Sequence, residues 1–244
     1  MKNLNYKTMR KIVFALLMLL TLSMKAQNDG VIKFLGIPVD GTKSEMISKL
    51  TQKGFIYDSE NDFLDGVFNG GQVHIYVHSN NNKVDRIMVA SQNQFNESEI
   101  ITQYNNLLYD FVNNDKYVPS LSYEVEYINT RENISYEMTV NHKSYDAAFI
   151  QVSNKSEIVS SIKEILDNYE SVYNYLKSES SEEAFAFLDE ENRSKEDKAK
   201  CLAYLFNIPS LNNMVWFNIN EFYGKYYITI YYDNLSNRPN GEDL

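Results

Sequence analysis

The chain has 244 residues, and its 33 Asp and Glu against 23 Lys and Arg give a formal net charge of −10 at pH 7. Such a balance repels nucleic acid and anionic membrane surfaces, so no nucleic-acid partner is expected. A hydrophobic content of 43% excludes a disordered polypeptide and indicates a packed core.

Residues 1–26 have the order of a secretory signal peptide. A basic segment without acids comes first, residues 12–22 form a short apolar core, and Ala26 precedes the expected cleavage point. This apolar run is about half of the roughly 20 residues that a membrane-spanning helix needs. No stable membrane insertion is therefore expected after cleavage. Cleavage would leave 18 basic and 33 acidic residues, in a protein that is periplasmic or secreted.

Residues 27–116 are predicted to form an N-terminal α/β unit. A strand over residues 31–35 and a turn lead into a helix, which begins at the capping box of Thr42 and Glu45 and ends at Gly54. A second helix covers residues 97–112, with Asn96 and Glu99 as its capping box. Between the helices, four segments have the composition and turn signals of antiparallel strands: residues 55–57, 63–68, 72–78 and 83–91.

Residues 117–244 are predicted to form a second α/β unit. A connector over residues 113–120 is followed by three predicted strands and a helical block over residues 155–207. The block contains the chain's one cysteine, Cys201, which is expected to be a buried structural thiol. A hairpin turned at Tyr223 and Gly224 follows. The three strands cover residues 123–128, 134–140 and 144–152, and the hairpin covers residues 214–220 and 225–233. The predicted fold class is α+β, with two small antiparallel sheets, each partly covered by helices.

The sequence has no nucleotide-binding loop and no catalytic motif of the common hydrolases. His74 and His78 share one face of a predicted strand but lie about 13 Å apart, so they cannot bind one metal ion together. Residues 58–63 are predicted to be a polar turn rather than a calcium loop. Asp233, Asn234 and the oxygen-rich residues after them are expected to form a solvated tail. No metal site, catalytic residue or cofactor is predicted.

The final hairpin concentrates aromatic residues in a chain that has 19 Tyr and 13 Phe. Strand alternation places Trp216, Tyr227 and Tyr231 on one face and the more apolar positions on the other. These three residues are the candidate ligand-binding residues, because flat rings bind sugars and anchor protein partners. If the helical block covers this face, the rings instead form a second core layer.

The end of the chain resembles that of an uncharacterised exported family from Bacteroides-type gut bacteria. The residues that carry this resemblance are VWF at 215–217, FYGKYYI at 222–228, YYDN at 231–234 and NGEDL at 240–244. Residues 34–42, with the later Leu50, Gly54 and Phe55, resemble the beginning of the same family. The resemblance implies export and brings no catalytic residue. The Gly-Thr…Leu…Gly spacing is also similar to periplasmic β-lactamase-inhibitor-like and SmpA-like modules, which bears on the fold alone.

The favoured function is an exported, non-catalytic binding module for a protein, a peptide or a glycan. Two alternatives remain. One is an envelope or secreted hydrolase that uses paired carboxylates, which spacing cannot identify among 33 acids. The other is a structural envelope protein.

Overall fold

A computed structural model describes residues 31–120, 126–152 and 213–238, with four further positions between residues 155 and 167. Three predictions lie outside the described residues: the predicted signal peptide, the first half of the predicted strand at 123–128, and, apart from those four positions, the helical block with Cys201. The elements below belong to one compact unit, Val31–Ser153 with Ser210–Leu244. The predicted boundary between residues 116 and 117 falls inside this unit.

The described chain forms ten strands and three α-helices. The strands are β1 (Lys33–Phe34), β2 (Ile37–Pro38), β3 (Ile56–Asp58), β4 (Phe63–Phe68), β5 (Gly71–Asn80), β6 (Lys83–Ser91), β7 (Tyr117–Pro119), β8 (Asp146–Gln151), β9 (Asn213–Phe222) and β10 (Lys225–Asn234). The helices are α1 (Lys43–Gln52), α2 (Glu97–Asn113) and α3 (Ile134–Thr139), and a short 3-10 helix covers Leu235–Asn237. Among the described residues, no helix has the length and hydropathy needed to span a bilayer.

Local signals position both long helices as predicted. Each begins with a capping box, Thr42 with Glu45 for α1 and Asn96 with Glu99 for α2. The chain leaves α1 at Gly54, whose φ of +100° is a conformation that glycine adopts without strain.

Two predictions between α2 and β8 are wrong. The segment at 134–140 is a helix and not a strand, because the Asn133 side chain accepts a hydrogen bond from the Tyr136 backbone N–H and caps it. The predicted connector at 113–120 contains strand β7, which pairs with β8.

One eight-stranded antiparallel sheet dominates the fold, with the strand order β3-β4-β5-β6-β10-β9-β8-β7. The expectation of two small sheets is therefore corrected. The junction is the antiparallel pairing of β6 with β10, in which Val89 lies opposite Ile230. A separate two-stranded sheet consists of β1 and β2.

Both halves of the large sheet follow one order of elements, a helix and then four strands. The first half is α1 followed by β3 to β6, and the second is α2 followed by β7 to β10. The last strand of each half pairs with the other across the centre. The second half carries longer insertions, with α3 between β7 and β8 and residues 152–212 between β8 and β9.

The two faces of this sheet have different surroundings. The inner face packs against α1 over β3, β5 and β6 and against α2 over β7 and β10. There Phe217 meets Tyr104 and Phe111 of α2, with ring centroids 5.2 and 5.5 Å apart. We call the opposite face, which carries Tyr76 and Trp216, the outer face.

A candidate binding face on the sheet

A row of large side chains crosses the outer face at right angles to the strands. Tyr76 lies opposite Met88, Met88 opposite Tyr231, and Tyr231 opposite Trp216. The row continues onto β4, where the Phe63 ring lies 5.7 Å from the Tyr76 ring. All five side chains are partly exposed. Adjacent strands lie about 4.8 Å apart, so the row spans roughly 19 Å over β4, β5, β6, β10 and β9.

Trp216 and Tyr231 form the centre of the aromatic contacts in this row. Their rings are stacked, with centroids 3.9 Å apart and an interplanar angle of 11°. The Arg86 guanidinium lies 5.0 Å from the Tyr231 centroid and 5.7 Å from the Trp216 centroid. It is therefore beside both rings, within the range in which a cation is attracted to an aromatic face.

A buried carboxylate, Asp233, holds this arrangement in place. Its side chain is fully buried, and it accepts hydrogen bonds from Arg86 Nε at 2.6 Å and from Trp216 Nε1 at 2.7 Å. Arg238 donates to the same carboxylate. Burial raises the pKa of Asp233, while the hydrogen bonds from Arg86 and Trp216 act in the opposite direction.

Asp233 and Asn234 are not part of a solvated tail, and that expectation is corrected. Both residues are buried. The Asn234 side chain donates to the Val39 backbone oxygen at 2.9 Å. Beyond it, the Asn237 side chain donates to the Val84 backbone oxygen and to Asp40. This end of β10 is thus tied into the body of the unit by polar contacts that alternation alone does not indicate.

The three predicted ligand-binding residues all lie on the outer face, but only two of them touch. Trp216 and Tyr231 are register partners. Tyr227 is four residues from Tyr231 on the same strand, which places it about 13 Å away along β10. It is partly exposed and lies opposite Asn220. Tyr227 is therefore at the edge of the face, outside the row.

Each histidine of β5 on the outer face has its own acidic neighbour. His74 Nδ1 lies 2.8 Å from an oxygen of Asp65, and His78 Nδ1 lies 2.6 Å from an oxygen of Asp85. Within the part of the chain that the structure describes, no group of three or more His, Cys, Asp and Glu residues could hold a metal ion.

The polar turn predicted at residues 58–63 is present, and its carboxylates serve local structure. Asp58 accepts hydrogen bonds from the backbone N–H groups of Glu60 and Asn61. Asp62 accepts from Lys43 and from the Tyr57 hydroxyl. These bonds fix the turn between β3 and β4.

Sequence reasoning missed the members of the row outside the final hairpin. Alternation placed Tyr76 with the two histidines on one face of β5, but it did not connect that face to β9 and β10. The missing information was the pairing of β6 with β10, which joins segments about 140 residues apart. Arg86 gave no local signal, since its aromatic and acidic partners all lie on β9 and β10.

Comparison of the chain with protein-family models, with curated proteins and with solved structures found no match.

Proposed function

We propose that this protein is an exported, non-catalytic binding module whose outer sheet face contacts a partner protein or peptide. The observation that carries the proposal is the row of five large, partly exposed side chains across five adjacent strands. Trp, Tyr and Arg are the residue types enriched at the energetic centres of protein interfaces. The face brings them together at Trp216, Tyr231 and Arg86.

The orientation of the rings favours a polypeptide partner over a glycan. Stacking of a sugar needs an open aromatic face. Trp216 and Tyr231 each turn one face toward the other at 3.9 Å. The indole N–H is also engaged by Asp233 and cannot donate to a sugar hydroxyl at the same time. Side chains of a partner can instead pack against the exposed parts of the rings and between the rows of the pleated surface.

The hydrogen bonds from Arg86 and Trp216 to Asp233 reduce the entropy lost on binding. Immobilising a flexible side chain at an interface costs about 0.5–1.5 kcal/mol. Arg86 is already held by two hydrogen bonds to Asp233, one from Nε and one from a terminal nitrogen at 3.1 Å. Trp216 is held by its stack and its N–H bond. The centre of the face is therefore ordered before a partner arrives.

Two clefts beside α2 do not offer the paired carboxylates that the hydrolase alternative needs. The lining of each of these clefts contains one carboxylate, Glu99 in one and Asp110 in the other. Hydrolysis by paired carboxylates needs two of them facing each other across the bond to be cleaved. Glu99 is also bonded to the Asn96 backbone N–H in the capping box.

Site-specific photocrosslinking in cells tests the proposal. A benzophenone-bearing phenylalanine analogue replaces Tyr76 or Tyr227 on the outer face, or Tyr109 or Tyr136 as a matched control. The control tyrosines are exposed and lie on α2 and α3. Irradiation should give the same discrete adduct from both outer-face positions and no such adduct from the controls. Mass spectrometry of the adduct then identifies the partner.

A second measurement on the identified partner completes the test. Tyr231→Ala should weaken its binding at least tenfold, because it removes the ring between Met88 and Trp216, while Tyr109→Ala should leave it within twofold. Equal crosslinking from all four positions, or full binding by the Tyr231→Ala variant, would exclude the outer face as the interface. A structural role without a separable partner predicts adducts only with other copies of the chain.

A further inference from the structure

A cleft of about 480 Å³ lies on the inner face beside α2. Its floor consists of Val73 of β5, Val89 of β6, and Ile228 and Ile230 of β10. Val73 lies opposite Ser91, which also lines the cleft, and Val89 lies opposite Ile230. The floor thus carries four aliphatic side chains on three neighbouring strands, with the polar Ser91 beside Val73.

Helix α2 and the hairpin between β4 and β5 form the walls of the cleft. The fully buried side chains of α2, such as Tyr104 and Leu108, face the core, and the ring of Tyr104 meets that of Phe217. Leu107, on the flank of the helix, is partly exposed and lines the cleft. Phe68, at the hairpin between β4 and β5, lines the opposite side. The cleft therefore lies between α2 and this hairpin.

The rim is polar and carries no base. Gln103 and Asn106 of α2 contribute amides to it, and Asp110 contributes one carboxylate. A neighbouring cleft of about 490 Å³ shares Asn93, Phe95 and Gln103 and adds Glu99. Neither set of described lining residues contains Lys, Arg or His. An anionic head group would have no cation to pair with here, whereas a cationic one would face Asp110.

From this geometry we propose that the inner cleft binds a small cationic amphiphile, with an apolar body over the strand floor and an amine at the Asp110 rim. The volume is within the range of small-molecule sites. With about 30 Å³ for a group the size of water, 480 Å³ accommodates roughly 16 non-hydrogen atoms. This site is separate from the outer face and does not depend on the function proposed for that face.

Calorimetric titration with simple alkyl probes tests the site, on protein purified from cells that express the full chain. Octylamine, decylamine and decanoate are used below their micelle concentrations at pH 7. Decylamine should bind with one-to-one stoichiometry and at least fivefold more tightly than decanoate. Decylamine should also bind more tightly than octylamine, by about three- to fourfold for each added methylene that is fully buried.

Two pairs of variants locate the binding. Leu107→Trp fills the cleft and should weaken decylamine binding at least tenfold, whereas Tyr109→Trp, on an exposed position of the same helix, should leave it unchanged. Asp110→Asn should remove the preference for amine over carboxylate, and Asp115→Asn, outside the cleft lining, should keep it. Because Asp110 is exposed, its variant tests the site even if Leu107→Trp disturbs the fold. Tighter binding of decanoate, or binding that neither cleft variant changes, would overturn the proposal.

Discussion

The two faces of the eight-stranded sheet are made by alternate residues of the same strands, yet they are stabilised differently. On β9, Phe217 is fully buried and packs among the rings of Tyr104, Phe111 and Phe149. Its neighbour Trp216 is partly exposed and is held by one stacked ring and a hydrogen bond to a buried carboxylate. Shape and apolar contact determine the inner face, while directional polar and ring contacts determine the outer face.

This difference assigns separate roles to the two faces. Burial of aromatic residues on the inner face supplies folding free energy without a directional requirement. The outer face holds a set of large side chains in fixed positions and leaves part of each exposed. This partial exposure contributes less to the stability of the fold, and it leaves surface that a partner can contact. Substitutions on the inner face should therefore change stability first, and those on the outer face should change binding first.

The largest effect is expected from Phe217→Ala on the inner face. It removes a fully buried ring from a group of three other rings, and such truncations cost about 3–5 kcal/mol of the free energy of unfolding. Urea denaturation followed by circular dichroism measures the loss. Tyr227→Ala, on the outer face of the adjacent strand, should cost about 1 kcal/mol or less. Equal losses would mean that the outer face is a second core layer.

A smaller effect is expected from Asp233→Ala, at a buried position of the outer face next to the row. The change leaves the Arg86 guanidinium and the Trp216 N–H without their acceptor, which should cost about 2–3 kcal/mol. Trp216 is the only tryptophan of the chain, so its fluorescence reports the site directly. We expect altered emission from the folded variant. Unchanged emission and stability would show that Asp233 does not order the row.

The sequence predicted which residues of a strand share a face, but it did not predict which strands lie next to one another in the sheet. Strands β4 and β6 have the predicted bounds, and both capping boxes lie where the Thr42 and Asn96 patterns put them. Alternation also separated Phe217 from Trp216. These are local properties, encoded by a side-chain period of two and by hydrogen bonds within four residues.

The row itself could not be predicted, because it depends on a non-local register. Met88 lies beside Tyr231 only because β6 pairs with β10, and nothing in either segment specifies that partner. The segment at 134–140 shows a different limit. Its apolar residues alternate as in a strand, but Ile134 and Met138 are also spaced for one face of a helix, and a short run cannot decide between them.

A third prediction uses a glycine of β4 to test how tightly the inner face is packed. Gly66 of β4 lies opposite Val73, and a Cβ built on it would come within 2.3 Å of the Phe55 ring. Because Phe55 is buried, the ring has little room to move. Gly66→Ala should therefore lower the free energy of unfolding by about 1–2 kcal/mol through overpacking.

A matched control uses Gly70, where a Cβ would meet nothing within 4 Å. Gly70 has a φ of +77°, so Gly70→Asn, which tolerates that conformation, is the fitting change. It should be nearly neutral in urea denaturation. If Gly66→Ala is neutral as well, the inner face is looser than its burial implies.

The smallest expected effect is on the pH dependence of the free energy of unfolding, and it involves Glu132, near the start of α3. Glu132 accepts hydrogen bonds from Lys143 and from the Tyr145 hydroxyl, the latter at 2.6 Å, and these bonds lower the pKa of its carboxyl. The ionised form is therefore favoured in the folded state. Its contribution is complete above the ordinary pKa of about 4.3 and is lost as the pH falls through the lowered pKa. Asp233 has the opposite sign, because burial raises its pKa.

Glu132→Gln should lower the free energy of unfolding by about 0.5–1 kcal/mol at pH 7, a value kept small because the carboxylate is partly exposed. The difference from the wild type should shrink below about pH 4, as the wild-type carboxyl is protonated. Glu126→Gln, at an exposed position of the same segment, is the matched control. If the Glu132→Gln difference persisted unchanged into acid, the loss would come from packing around Tyr145 and not from charge. Any acid sensitivity of the fold would then have to come from groups other than Glu132, and Asp233 cannot supply it, because its raised pKa makes its own contribution fall as the pH rises.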